Sequence, residues 1–309
     1  MKKLLGILLL VLATFAVAAT FLTIATGGTA GVYYPLGAAL ADIWNKNIKG
    51  MNASVQSTGA SVANINLLRS KDVDVIFVQN DVAAYAYQGI EFFKDQPFPQ
   101  LRGLACLYPE TVQIVALADR NINSVYDLKG KRVAVGAAGS GVEVNARHIL
   151  SAAGITYDDI KVYYLSFAEA ANNLKDGNID AAFLTAGHPT PAVVDLAAVR
   201  KITIVPIDDE LIKKLQEKYP FYTKVVIPAG TYKGVGVDVQ TLAVKAMLAV
   251  REEMPADLAY QLLKTMYANL QRLREAHARA EYILIETAKE GMSIPLHPGA
   301  EKFFKEMGF

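Results

Sequence analysis

The chain has a single cysteine, Cys106, among 309 residues. No intramolecular disulfide can form, so the fold has to be held by its core. Cys106 stands between Ala105 and Leu107 and reads as a small buried hydrophobe. It lies far from the N terminus, where a lipid-anchored exported protein would carry its cysteine. The four histidines, His148, His188, His277 and His297, show no paired ligand spacing, so neither a metal centre nor another cofactor is expected. A G-x-S-x-G nucleophile elbow is missing. Charge of one sign is missing too: 31 basic residues face 30 acidic ones, which gives no footprint for nucleic acid or an anionic membrane.

What is present begins at the first residues. Lys2 and Lys3 precede an apolar run from Leu4 to Ala19, and Ala16-Val17-Ala18 fits an A-x-A cleavage site. The run is shorter than the roughly 20 residues that cross a bilayer, so residues 1–19 are expected to be a removed signal peptide and the mature chain a diffusible periplasmic protein. No later stretch is long and apolar enough to span.

The remainder is long enough for two lobes. Phe21–Ala25, Ala53–Gln56, Val73–Val78, Val112–Ala116, Arg132–Val135, Lys161–Leu165, Ala181–Leu184 and Ile202–Val205 read as strands. Tyr34–Lys46, Val62–Ser70, Val142–Ala153, Ala168–Asp176 and Asp209–Lys218 read as amphipathic helices between them. This alternation predicts an α/β fold of βαβ units, with mostly parallel sheets and a ligand crevice beyond the carboxyl ends of the strands. Two extended runs, Leu101–Ala118, interrupted at Pro109, and Val225–Ala249, read as crossings between lobes. The expected division is 20–110 for the first part of lobe I, 111–235 for lobe II, and 236–309 for the return strand, the rest of lobe I and C-terminal helices.

Polar residues gather at the strand ends. Thr26-Gly27-Gly28-Thr29-Ala30-Gly31-Val32-Tyr33-Tyr34-Pro35 is a glycine-rich turn into a helix, where a ligand can approach the backbone and its unpaired N–H groups. It lacks the G-x-G-x-x-G spacing of a dinucleotide site. Gly136 to Gly141 has the Walker spacing, but Val142 and Glu143 stand where Lys and Ser/Thr are required, which excludes nucleotide hydrolysis. Ser140-x-x-Glu143 is a capping-box pattern and Arg147 is one turn on, so Glu143 reads either as a structural residue or as a ligand contact. Gln56-Ser57-Thr58-Gly59, Gln79-Asn80-Asp81 and Thr185-Ala186-Gly187-His188-Pro189 each follow a strand, with Pro189 suited to a first helical position.

Several ordered segments together carry a resemblance: Ile24–Pro35, Ile76–Ala83, Leu107–Ala118, Leu128–Asn145, Ala186–Pro191 and His297–Ala300. From Phe21 to Phe309 the chain resembles the TAXI family of solute receptors of TRAP transporters. The resemblance implies a type II periplasmic-binding-protein fold, a small carboxylate or amino-acid ligand such as glutamate, glutamine or 2-oxoglutarate, and a TRAP membrane permease as partner. It implies ligand contacts from Gly28, Thr29, Tyr33, Tyr34, Ser57, Thr58, Gln79, Asn80, Tyr108, Ser140, Glu143 and Gly187. No arginine stands in these turns, so an anion would rest on helix N-termini and neutral donors. A receptor feeding a sensor kinase, or an exported enzyme acting on a small acid, are the alternatives; the enzyme would need an acid–base pair or an activated nucleophile.

Overall fold

The computed structural model describes residues 19–309, so the expected signal peptide lies outside the described residues up to Ala18. Ten strands form one sheet in the order β2-β1-β3-β10-β4-β7-β5-β6, with β8 pairing with β4 and β9 with β10. At one end β1 (Thr20–Ala25), β2 (Met51–Gln56) and β3 (Val75–Gln79) run parallel. At the other, β5 (Arg132–Ala134), β6 (Lys161–Tyr163) and β7 (Ala181–Ala186) run parallel. The helices after these strands are α1 (Tyr33–Asn47), α2 (Ser61–Ser70), α3 (Asn80–Gln88), α4 (Gly141–Ala152), α5 (Phe167–Asp176) and α6 (Pro191–Val199). Every residue of β3 and β7 is buried, as strands covered on both faces require, and their sequences are accordingly near-continuous apolar runs.

The two ends meet through a pair of long antiparallel strands. β4 (Leu101–Leu117) pairs with β10 (Val239–Arg251) over its first two thirds, then with β7 and with β8 (Ile202–Val205). β10 pairs with β3 at its C-terminal end and with β9 (Thr223–Ile227) at its start. The sheet is thus mixed: parallel pairing holds within each end, and the long strands supply the antiparallel pairs. This α/β arrangement is that of the type II periplasmic binding proteins.

Three local expectations are corrected. β4 does not break at Pro109. Proline has no N–H to donate, and the ladder shifts register between Lys245 and Met247, beside the Lys245–Pro109 pair. The Lys245 N–H, opposite the proline, donates instead to Asn80 Oδ1 at 2.9 Å. The run Val225–Ala249 is not one crossing, because the Pro228–Gly236 segment turns the chain back and β9 lies antiparallel on β10. Pro191, not Pro189, takes the first position of α6, with Thr190 as its N-cap.

The remaining helices are α7 (Asp209–Lys218), α8 (Ala256–Ala268), α9 (Leu270–Ala276) and α10 (Pro298–Glu306). In α7 the Asp208 carboxylate accepts from the Leu211 N–H at 2.8 Å, and Leu211, Ile212 and Leu215 form the buried face. Cys106 is 2% exposed inside the core, and burial pushes its thiol up to about 12. No helix among the described residues is long and apolar enough to cross a membrane.

Candidate ligand-binding site

A cavity of about 80 Å³ lies where the carboxyl ends of the parallel strands from both ends of the sheet meet. At roughly 10–15 Å³ per water it holds several waters or one small polar ligand. Gly27 and Gly28 reach it from the end of β1, Thr58 from β2, Gln79 from β3, Ala137 and Ser140 from β5, Ser166 and Phe167 from β6, and Thr185 from β7.

The strands feed helices whose first turns point into the same space. Tyr33 begins α1, Ser61 begins α2, Gly141 begins α4 and Phe167 begins α5, and all four line the cavity; Gln79 is the N-cap of α3. Ser140 and Ser166 cap their own helices through the Glu143 and Glu169 N–H groups. The starts of α1, α2 and α3 have no side-chain cap. The first N–H groups of α1 and α2 and the summed peptide dipoles make the cavity a place for negative charge, although among the described residues no Lys or Arg lines it; in α3 the Val82 N–H is taken by the Asp81 carboxylate. Buried acceptors and donors are also unsatisfied there: Gln79 Oε1 and the Thr185 hydroxyl have no protein partner.

One carboxylate lines the cavity. Glu110, on β4, is 2% exposed, and its Oε2 accepts a 2.6 Å hydrogen bond from the Tyr33 hydroxyl. Burial pushes Glu110 up to about 8; the Tyr33 bond pulls it down, and the neighbouring Asp81 charge pushes it further up. Tyr33 itself is held well above its ordinary value, first by burial and then by Glu110. Its ring is tilted against Phe77 at 5.0 Å between centroids, which fixes the hydroxyl.

The two walls touch above this space. The Ala63 N–H, in the first turn of α2, donates to Gly139 O at 3.0 Å. Gly139 reaches that position with φ +75°, and a Cβ on Gly59 would stand 3.3 Å from Ala138 O. A Cβ on Gly31 would meet the Phe167 ring at 3.4 Å.

Of the twelve expected contacts, Gly28, Tyr33, Thr58, Gln79 and Ser140 are brought to the cavity. The Thr58 hydroxyl is already engaged with Thr26 O and Asn64 Oδ1. Thr29 is exposed and Tyr34 half-buried, and neither lines it. Ser57 is exposed and donates to Gly27 O at 3.0 Å, which fixes the turn from outside. Tyr108 lies buried two residues before Glu110, without a partner for its hydroxyl and outside the lining. Gly187 is packed under Arg279, whose Cγ would be 2.3 Å from a Cβ there.

Two residues turn away for clear reasons. Asn80 donates to Gly291 O and accepts from the Lys245 N–H, each at 2.9 Å, so it ties α3 to the register shift of β10. Asn80→Ala is expected to cost about 1–3 kcal/mol of stability by stranding a buried N–H, with ligand affinity unchanged; urea unfolding beside calorimetry checks this. Glu143 is 2% exposed, yet its carboxylate accepts from Arg147 and, at 2.7 Å, from the Tyr157 hydroxyl. It does not return to the Ser140 N–H as a capping box would, nor does it face the cavity. Glu143→Gln should therefore lower the melting temperature, losing about 1–3 kcal/mol with the charged bonds, and leave affinity as it was. Loss of affinity without loss of stability would return Glu143 to the site.

Glu110, Ser61 and Phe167 were not anticipated; Gly141 and Thr185 belong to strand-end turns expected at the crevice but were not among the expected contacts. Glu110 had a visible signal, the one carboxylate in the largely apolar run Leu101–Ala118. Ser166-x-x-Glu169 is a helix-start pattern that places Phe167, and both of its reciprocal bonds are present. Thr185 and Ser61 look like any cap or strand-end hydroxyl.

Among solved structures, the chain is similar in fold to a putative L-cystine ABC transporter protein from Listeria monocytogenes, at 17% identity and a TM-score of 0.53 over 86% of this chain and 99% of that one. The alkanesulfonate-binding protein SsuA from Xanthomonas axonopodis pv. citri, bound to MOPS, matches at 16% identity and 0.51 over 94% and 85%. A protein of Bordetella bronchiseptica RB50 matches at 13% identity and 0.56 over 94% and 98%. The model of the NMT1-like family matches residues 24–308. That match spans the strands, the long antiparallel pair and every cavity-lining residue, and the chain belongs to the NMT1-like family.

Proposed function

We propose that the chain is an exported solute-binding receptor of the TAXI class, which captures a small carboxylate or amino acid and delivers it to a TRAP membrane permease. The observation that carries this reading is the convergence of helix starts, those of α1 and α2 without side-chain caps, on one cavity that, among the described residues, no basic side chain lines. An anion held there by backbone N–H groups needs no counter-ion from the protein and leaves unchanged when the walls part. Glutamate, glutamine and 2-oxoglutarate are the ligands the family resemblance suggests. Proteins of similar fold include an alkanesulfonate-binding protein and a putative L-cystine ABC transporter protein.

Capture would use motion. Residues 20–110 with 236–309 would form one lobe and 111–235 the other, hinged in the β4 and β10 strands, with the Ala63–Gly139 bond and the Gly59–Ala138 approach closing last. Native mass spectrometry of freshly purified protein is expected to show one bound acid below a few hundred daltons. X-ray scattering should give a smaller radius of gyration with that acid than after its removal by partial unfolding. A protein that carries no acid, and that binds none from a panel of amino and 2-oxo acids, would sink the receptor reading.

A further inference from the structure

Among the described residues Glu110 is the one carboxyl that lines the cavity, and it sits among helix starts that favour negative charge. In the empty site burial holds it protonated at neutral pH; once ionised it works against an anionic ligand, unless the ligand brings a positive group of its own. The protein supplies Glu110 with one hydrogen bond, from Tyr33 to Oε2, and Oε1 has none. Tyr33 is placed by α1 and by the Phe77 ring, so the carboxylate is held in one orientation before any ligand arrives.

We infer that Glu110, oriented by Tyr33, is the specificity-determining residue of this site and selects ligands that carry an ammonium group beside their carboxylate. The inference rests on the receptor reading and narrows it: of the acids proposed above, it admits the amino acids and rejects the 2-oxo acids. The ligand carboxylate takes the uncapped N–H groups of α1 and α2. Its ammonium takes Glu110 Oε1, completing the charge balance of the cavity. A 2-oxo acid of the same skeleton offers a carbonyl oxygen where the ammonium would be, and that oxygen meets Glu110 with like polarity. Tyr33 touches Glu110 and acts as a positioning residue.

Two arms test this. Isothermal calorimetry of the wild-type protein, stripped of bound ligand, is run with matched pairs: L-glutamate against 2-oxoglutarate, L-alanine against pyruvate, L-leucine against 4-methyl-2-oxopentanoate. For whichever skeleton fits, the amino acid should bind at least about a hundredfold more tightly, because with the 2-oxo acid the buried carboxylate is left without a partner. In the second arm, Glu110→Gln keeps the shape and the bond from Tyr33 but removes the charge. The preference for the amino acid should collapse to within about tenfold, chiefly by weaker amino-acid binding. The wild-type arm stands alone if the variant fails to fold. Equal affinity for both members of the fitting pair, or an unchanged ratio in folded Glu110→Gln, overturns the inference and leaves the receptor reading in place. No binding by any member of any pair overturns both.

Discussion

Gly141→Val is expected to give a folded protein that no longer captures its ligand. Gly141 is the first residue of α4 and lines the cavity, and its φ is not in the left-handed region, so the backbone admits a side chain. Space does not. A Cβ at this position would stand 2.1 Å from Gln79 Oε1, 2.5 Å from Gln79 Cδ and 3.0 Å from Ser61 Oγ. Gln79 is 2% exposed and has no free volume except the cavity, so the new side chain and the displaced amide both enter the ligand's space. Overpacking of this kind costs about 1–3 kcal/mol in stability. The same crowding also holds α4 away from α2 and prevents the Ala63–Gly139 contact. A loss of affinity of at least about a hundredfold follows, equivalent to some 3 kcal/mol. Circular dichroism with calorimetry checks it, and near-native affinity in folded Gly141→Val would remove this cavity as the binding site. Gly28→Ala is the control: nothing stands within 4 Å of a Cβ there, so stability should hold.

The second large effect is with pH, and the part of the stability that Glu110 contributes should run in the opposite direction to affinity. Glu110 is pushed up to about 8 and the buried Asp81 to about 7, in both cases chiefly by burial. In an unfolded chain both lose their protons near pH 4, so between about pH 4 and 8 these two groups hold protons in the folded protein that they lack in the unfolded one. Their contribution to the stability of the ligand-free protein is then greatest at the acid end of this window and falls as pH rises through it, whereas the four histidines, held below their ordinary values chiefly by burial, contribute in the opposite sense below about pH 6.5. The groups facing Glu110 are Tyr33 from α1, Tyr108 from its own strand and Asp81 from α3; both tyrosines are pushed well above their ordinary values and stay neutral throughout. Asp81 accepts from the Val82 N–H and from Asn145, away from the cavity lining.

Binding of an ammonium group needs Glu110 ionised. Below pH 8 the ligand must displace a proton from it, so affinity for an amino acid should rise by up to about tenfold per pH unit and level off near 8. Melting curves and titrations from pH 5 to 8.5, in buffers of different ionisation enthalpy, read both slopes and the released proton. In Glu110→Gln the affinity slope should vanish, and the stability of the wild type relative to this variant should fall as pH rises from about 5 to 8. An affinity that falls with rising pH would mean that a protonated Glu110 donates to the ligand, and the ligand would then lack an ammonium group.

Much of the scaffold was legible along the chain. The strand–helix alternation depends on local periodicity, and α7 and β8 occupy the spans that their patterns predict, Asp209–Lys218 and Ile202–Val205. Side-chain direction was harder to read. Ser140 and Glu143 are three residues apart at one helix start, yet one lines the cavity and the other turns to Arg147 and Tyr157. The capping-box spacing is compatible with either, because what decides it is the neighbour that α4 meets. Asn80 differs from Gln79 in the same way: adjacent in sequence, they point to opposite sides of the start of α3, one to the cavity and one to β10.

Composition and short-range spacing set the framework of the protein: a core without disulfides, parallel α/β units, glycine-rich turns where the chain leaves β1 and β5, and no lysine or arginine in those turns. Each is a matter of composition or of spacing within a few residues. Tertiary structure alone decided that Tyr33 and Glu110, 77 residues apart, share a hydrogen bond, and that a carboxylate thus stands among the helix starts. It also decided that β9 folds back on β10 and that β10 inserts between β3 and β4. These are long-range pairings, set by which buried surfaces fit together once the chain has collapsed, and local periodicity carries no record of them.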